Sequence, residues 1–192
     1  MRISRRTALS LTAGGLINVA AAPGSAVGQL YESSELLVRA AADPGHTALG
    51  WLDSDHLFSF GKYHDQRHMG FRALRVINDD RIAAGRGFPT HPHRNMEIIS
   101  YVLAGALQHR DSTGQGAVIK PEDIQMMSAG RGITHSEFNP SARGTNHFLQ
   151  VWIQPAMRGG LPRYRENRVS AEQKRDHWAK IVGPDGTDAA VA

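Results

Sequence analysis

Cysteine is absent from the 192 residues. That excludes disulfide staples, thiolate metal sites and cysteine nucleophiles. Clustered positive charge is also scarce. The net charge of +4 overstates the basicity of most of the chain. Residues 1–28 hold Arg2, Arg5 and Arg6 and no acid, so 19 of the 22 basic residues remain beyond them against 18 acidic ones. No Lys/Arg run and no interleaving of aromatic with basic residues occurs, so no nucleic-acid partner is expected. No apolar run is long and pure enough for a stable membrane anchor, which needs roughly 20 such residues. What is present is a 41% hydrophobic share, 20 glycines, 9 prolines and ten histidines. The first is enough for a packed core, and the glycine and proline content suits a turn-rich all-β fold. The histidines are the obvious candidates for metal ligands.

The N-terminus reads as an export signal. Ser4-Arg5-Arg6-Thr7-Ala8-Leu9 places a twin arginine before a weakly apolar stretch that runs to Ala22, with small residues around Ala26 and Gly28. Residues 1–28 are therefore expected to be a removable twin-arginine signal directing a periplasmic or secreted protein. The alternative is a mis-assigned start codon, with a cytoplasmic protein beginning near Leu36.

Further along, short strand-like runs alternate with turns. Phe71 to Ile77 reads as a strand and Asn78-Asp79-Asp80 as a turn. Glu97 to Leu103 is apolar and β-branched, and Ala104-Gly105 turns it into a return strand, Ala106 to Arg110. Short strands follow at 117–119, 124–127, 133–138 and 146–154, a spacing that argues a sandwich or barrel. After Pro155 the chain becomes basic and irregular. Ser170-Ala171-Glu172-Gln173 fits a capping box for one short helix, and Trp178 to Val182 reads as a further strand.

The chemistry concentrates in two units. His91-Pro92-His93 places two imidazoles at i and i+2, and His135-Ser136-Glu137 does the same with an imidazole and a carboxylate. In a strand, i and i+2 share a face, so two neighbouring strands would converge His91, His93, His135 and Glu137 on one divalent metal. Imidazole and carboxylate suit iron, manganese, nickel, copper, cobalt or zinc. Gly85 and Gly87 precede the first unit, and Gly130 and Gly132 the second. Glu97, four residues after His93, is a second candidate carboxylate. His109, on the return strand, reads first as a surface residue and second as a neighbour of the ligands, and His64, His68 and His147 read as structural residues.

Gly87-Phe88-Pro89-Thr90-His91-Pro92-His93-Arg94, Tyr101-Val102-Leu103, His109-Arg110-Asp111-Ser112 and Ala129-Gly130-Arg131-Gly132-Ile133-Thr134-His135-Ser136-Glu137 closely resemble the pirin family. Trp51-Leu52-Asp53-Ser54, Phe58-Ser59-Phe60 and His68-Met69-Gly70-Phe71 resemble its bacterial branch, often described as quercetin 2,3-dioxygenases. The resemblance covers roughly residues 36–170. It implies a cupin β-barrel of the jelly-roll type, with one metal, iron(II) in the best-known members, on the His-x-His and His-x-Glu pairs. Because pirins are bicupins, the reading is an N-terminal barrel over 36–155 and a linker plus a fragment of a truncated second barrel over 156–192. This tail is expected to pack poorly or to meet a partner in a homodimer. Pro121-Glu122-Asp123 departs from the family's Pro-Gly-Asp, so that turn has to form without its glycine.

The activity that the resemblance implies is oxidative ring cleavage of a flavonol such as quercetin by dioxygen, with loss of carbon monoxide. Glu137 first and Glu97 second would take the substrate's hydroxyl proton. The alternative is a non-enzymatic, metal-binding regulatory protein that docks on protein partners.

Overall fold

The structure is a computed structural model that describes residues 44–176 and 178–183. The twin-arginine segment lies outside the described residues. Eleven strands and one short 3-10 turn, Glu172–Lys174, make up the described elements. No helix among the described residues is long and apolar enough to cross a membrane.

The strands are β1 (Gly45–Ala48), β2 (Leu52–His56), β3 (Leu74–Ile82), β4 (Gly87–His93), β5 (Glu97–Ala104), β6 (Leu107–Asp111), β7 (Gly116–Ile119), β8 (Asp123–Ser128), β9 (Ile133–Phe138), β10 (Asn146–Ile153) and β11 (Arg163–Arg168). They form two antiparallel sheets, a seven-stranded one in the order β1-β2-β3-β10-β5-β8-β11 and a four-stranded one in the order β4-β9-β6-β7. The fold class is all-β, a cupin-type jelly roll. Strand periodicity of two sends alternate side chains to the interior, and β9 obeys it: Ile133, His135 and Glu137 are buried while the residues between them are half-buried.

Two apolar clusters sit inside. Leu52, Ile82, Val102, Leu107, Ile119 and Phe148 form one, and Ile98, Met127, Ala129 and Ile133 the other. Each large aliphatic or aromatic residue fully buried in them contributes about 1.5–3 kcal/mol. The interior also carries a row of polar side chains. His56 lies opposite Asn78, Asn78 opposite Gln150, Gln150 opposite Ser100 and Ser100 opposite Gln125, across five adjacent strands. All five are buried.

That row explains one departure from the sequence reading. Asn78-Asp79-Asp80 is not a turn but the continuation of β3, because Asn78 and Asp80 face this polar interior and not solvent. The tail differs as well. Residues 163–168 lie within the expected linker, yet they form β11 along the edge of β8. Val169 then enters a third cluster with Ile99 and Ile124, against which Ile181 and Val182 pack. The expectation of poor packing therefore fails for Val169, Ile181 and Val182, but Trp178 is fully exposed and the expected strand from Trp178 to Val182 does not form. Glu122 holds this arrangement together. It takes up φ +78°, the left-handed conformation in which glycine is favoured, and its carboxylate accepts from the Ala171 amide at 2.8 Å and from Arg168 at 2.6 Å. The capping box forms at the same place: the Ser170 amide donates to Gln173 Oε1 at 2.8 Å and the Gln173 amide to Ser170 Oγ at 3.3 Å.

Candidate metal centre and cavity

The small sheet builds the site. β4 and β9 pair so that His91 lies opposite His135, with a register shift between Phe88 and His91. Gly87 lets these strands approach, since a Cβ there would sit 2.2 Å from the Glu137 carbonyl oxygen. The ring centroids of His91, His93 and His135 are 4.4–4.8 Å apart. Their candidate ligand atoms all lie within 4.8 Å of one another. A second, overlapping group is His109, His135 and Glu137, also within 4.8 Å. Of the four residues expected from the sequence, His91, His93 and His135 thus converge directly, and Glu137 is joined to them through the group that it shares with His135.

Two of the imidazoles are oriented by their second nitrogens. His91 Nδ1 donates to the Pro89 carbonyl at 2.7 Å. His135 Nδ1 faces His109 Nδ1 at 3.4 Å, and His109 Nε2 faces Asp111 Oδ2 at 3.1 Å. In the tautomers that satisfy this chain, Asp111 accepts from His109 and His109 accepts from His135, so that His135 Nε2 is left with a lone pair for the cluster. His93 Nε2 and His135 Nε2 are buried and have no hydrogen-bond partner. Such atoms are costly unless something binds them. Burial pushes His93 down to about 4 and His135 down to about 3, and the neighbouring imidazoles add to both effects. Both rings are therefore neutral near pH 7, the form that ligates metal. The donor set, the convergence and the two orphaned nitrogens fit a divalent metal.

Glu137 is held from the opposite sheet by the polar row. Gln150 Nε2 donates to its Oε2 at 2.8 Å and Ser100 Oγ to its Oε1 at 3.3 Å. Trp152 Nε1 donates in turn to Gln150 Oε1 at 3.0 Å, and its ring packs edge-on against His93 with centroids 4.8 Å apart.

Glu97 is not part of this site. Ser100 points inward to Glu137, so alternation along β5 sends Glu97 to the other face, where it accepts a short hydrogen bond from Ser128. His109, read from the sequence as a surface residue, is fully buried and stacks on Tyr164 of β11 at 5.0 Å. Its signal was present in the sequence: His109-Arg110-Asp111 is another i, i+2 unit of ligand-type residues. Of the others, His68 pairs with Asp65 and His147 with Asp79, in keeping with structural roles, and His64 is exposed.

A cavity of about 470 Å³ opens beside His91 and Glu137, within the range of small-molecule sites. Phe60, Phe88 and Trp152 give it aromatic walls, and Ser54, His56, Asn78 and Asp80 line it from β2 and β3. Burial pushes the Asp80 carboxyl up to about 7 and the charge of Glu137 adds to this, while the bond from Ser54 opposes it. The folded chain thus keeps this proton to about pH 7, against 3.8 for an ordinary Asp. Between those values the native state binds more protons than the unfolded one, so stability falls as pH rises through the window and stays lower above it. Asp80→Asn removes the effect. Relative to the parent chain, its stability should rise between about pH 4 and 7 at about 1.4 kcal/mol per pH unit or less. Thermal unfolding from pH 4 to 8 reads this directly, and parallel curves for the two proteins would contradict it.

Comparison with known proteins agrees with this picture. The sequence model described as Pirin matches residues 38–153. Quercetin 2,3-dioxygenase of Escherichia coli K12 is 47% identical over 156 residues, which cover 81% of this chain and 66% of the relative. The crystal structure of YhhW from Escherichia coli superposes with a TM-score of 0.73 at 46% identity, over 80% of this chain and 65% of that one. YhhW in complex with nickel(II) gives a TM-score of 0.67 at 52% identity, over 69% and 57%. The chain thus spans 66% or less of the length of these relatives. The match to the family model and the extent of these similarities lead to one conclusion: the chain belongs to the pirin family.

Proposed function

We propose that the chain carries the active site of a mononuclear metal-dependent dioxygenase that cleaves flavonols such as quercetin, releasing carbon monoxide. The observation that carries this reading is the pair of buried, unpartnered Nε2 atoms of His93 and His135. They converge with His91 beside a cavity that Glu137 also enters. His91, His93, His135 and Glu137 would hold the metal, with iron(II) as the native ion. When bound, a divalent metal supplies Lewis-acid polarisation of the substrate's oxygens and a site at which dioxygen chemistry becomes accessible.

The remaining work falls to the chain's own side chains. Phe60, Phe88 and Trp152 form apolar surfaces suited to a flat aromatic substrate, and Leu49 and Leu52 extend that apolar lining. A flavonol placed with its 3-hydroxyl and carbonyl toward His91 presents the hydroxyl proton to Glu137. Ser100 and Gln150 fix that carboxylate, so it takes the proton without first having to be oriented. The name of the Escherichia coli relative supports the substrate class, and the nickel(II) complex of YhhW supports the metal site. Oxygen uptake by metal-loaded protein with quercetin, together with loss of the flavonol absorbance, is the test. Metal-dependent uptake is expected. A metal-replete protein that consumes no oxygen with quercetin or related flavonols would instead favour a non-enzymatic metal-binding regulator.

We further propose export through a twin-arginine signal, supported by Arg5-Arg6 ahead of an acid-free, weakly apolar stretch. Replacing both arginines with lysine should retain the protein in the cytoplasm. An uncleaved wild-type protein in the cytoplasm would contradict the proposal and favour a start near Leu36.

A further inference from the structure

A buried barrel wall is ordinarily apolar, but the inner face of β2 and β3 is polar. Ser54 lies opposite Asp80 and His56 opposite Asn78 in the strand register. These four residues are only 1–3% exposed. All four line the cavity that His91 and Glu137 enter from the other sheet. Their mutual hydrogen bonds occupy one side of each group. Ser54 Oγ donates a short bond to Asp80 Oδ1. His56, in the tautomer protonated on Nδ1, donates to Asn78 Oδ1 at 2.9 Å, and Thr47 Oγ1 donates to His56 Nε2 at 2.9 Å. These bonds leave the second oxygen of Asp80 as an acceptor and the amide nitrogen of Asn78 as a donor. Neither atom is among the fully enclosed unpartnered ones of the described residues, so each stays open to a partner. The cavity is the place from which one can arrive.

We propose that Ser54, His56, Asn78 and Asp80 form a subsite for the hydroxyl groups of an aromatic ring remote from the metal centre. In it Asp80 accepts a phenolic O–H and Asn78 donates to the neighbouring oxygen. The inference rests on the reading of the cavity as the place of a flavonol-type substrate, and it deepens that reading. Thr47 and Ser54 fix His56 and Asp80 in place, so the subsite is rigid before the ligand enters. The aromatic walls orient the ring system, while these polar groups select how it is hydroxylated. Specificity of this kind is strong, because a ligand without the hydroxyl leaves buried polar groups unpaired.

The test compares quercetin with 3-hydroxyflavone, which shares its 3-hydroxyl and carbonyl but lacks the other ring hydroxyls. Binding to nickel(II)-loaded protein without oxygen is followed by quenching of tryptophan fluorescence, since Trp152 lines the cavity. At pH 8, above the range in which Asp80 keeps its proton, the parent chain should bind quercetin about tenfold or more tighter, the worth of one hydrogen bond to a charged acceptor. Asp80→Asn and Asn78→Ser should each compress that ratio to about threefold or less. Affinity for 3-hydroxyflavone and metal content should stay as in the parent, which separates recognition from damage to the fold. Equal binding of the two ligands by the parent, no binding of either, or an undiminished ratio in both variants would overturn the subsite. Failure of the dioxygenase reading looks different. A protein that shows the preference but takes up no oxygen keeps the subsite and loses the activity, whereas equal kcat/KM for both ligands keeps the activity and loses the subsite.

Discussion

Replacing His135 with Ala should empty the metal centre. His135 belongs to both ligand groups, the one with His91 and His93 and the one with His109 and Glu137. Its Nε2 is buried with no hydrogen-bond partner. Without it, His91 and His93 remain on one strand with no imidazole opposite them, and Glu137 loses the neighbour that links it to them. Loss of a group that merely orients a ligand weakens metal binding by about 10–100-fold, so loss of the ligand itself should exceed about 100-fold. Dialysed parent protein should carry one metal per chain and His135→Ala close to none. The folded state should persist, because the substitution removes a buried polar group that has no protein partner on one side. Glu97→Ala is the control. Glu97 faces away from the site, so that variant should keep its metal. Full occupancy in His135→Ala would refute the assignment.

The second large effect is on turnover. In Glu137→Gln the side chain keeps its shape and loses its charge, so it can no longer take a hydroxyl proton. The rate of oxygen uptake per bound metal should fall by about 10²–10⁴-fold, the usual contribution of a positioned base. Metal content should fall less than in His135→Ala, since three imidazoles remain. Some of the loss will come from position. Gln150 Nε2 donates to Glu137 Oε2 at 2.8 Å, and an amide nitrogen at that oxygen's place would set two donors against each other. Unchanged turnover in Glu137→Gln would remove Glu137 as the base while leaving the metal centre untouched.

Several features were legible in the sequence because they follow strand parity. The two i, i+2 units announce a shared face, and the structure brings His91 opposite His135 as two adjacent strands require. Other features were not legible, for identifiable reasons. Asn78 and Asp80 read as turn residues because a barrel interior is assumed to be apolar. Here a polar row crosses five strands, so hydrophobic alternation fails where the site is built. Glu97 was misplaced because proximity in sequence to His93 was weighed above parity along its own strand. His109 was read first as a surface histidine and only second as a neighbour of the ligands, although Asp111 two residues on shares its face. β11 was unreadable from pattern alone. As an edge strand it is exposed on most of its length, and Arg163 to Arg168 show none of the alternation that a buried strand imposes. Only Tyr164, stacked on His109, ties it to the site.

The central claim is that three imidazoles and Glu137 hold one metal ion in the barrel. Anomalous diffraction from a crystal of metal-loaded protein tests it most directly. The predicted result is a single peak about 2.1 Å from Nε2 of His91, His93 and His135, with a Glu137 oxygen completing the set. A peak at the exposed His46, Asp53 and Asp55 group instead, or no peak near His135 in protein shown to contain metal, would contradict it.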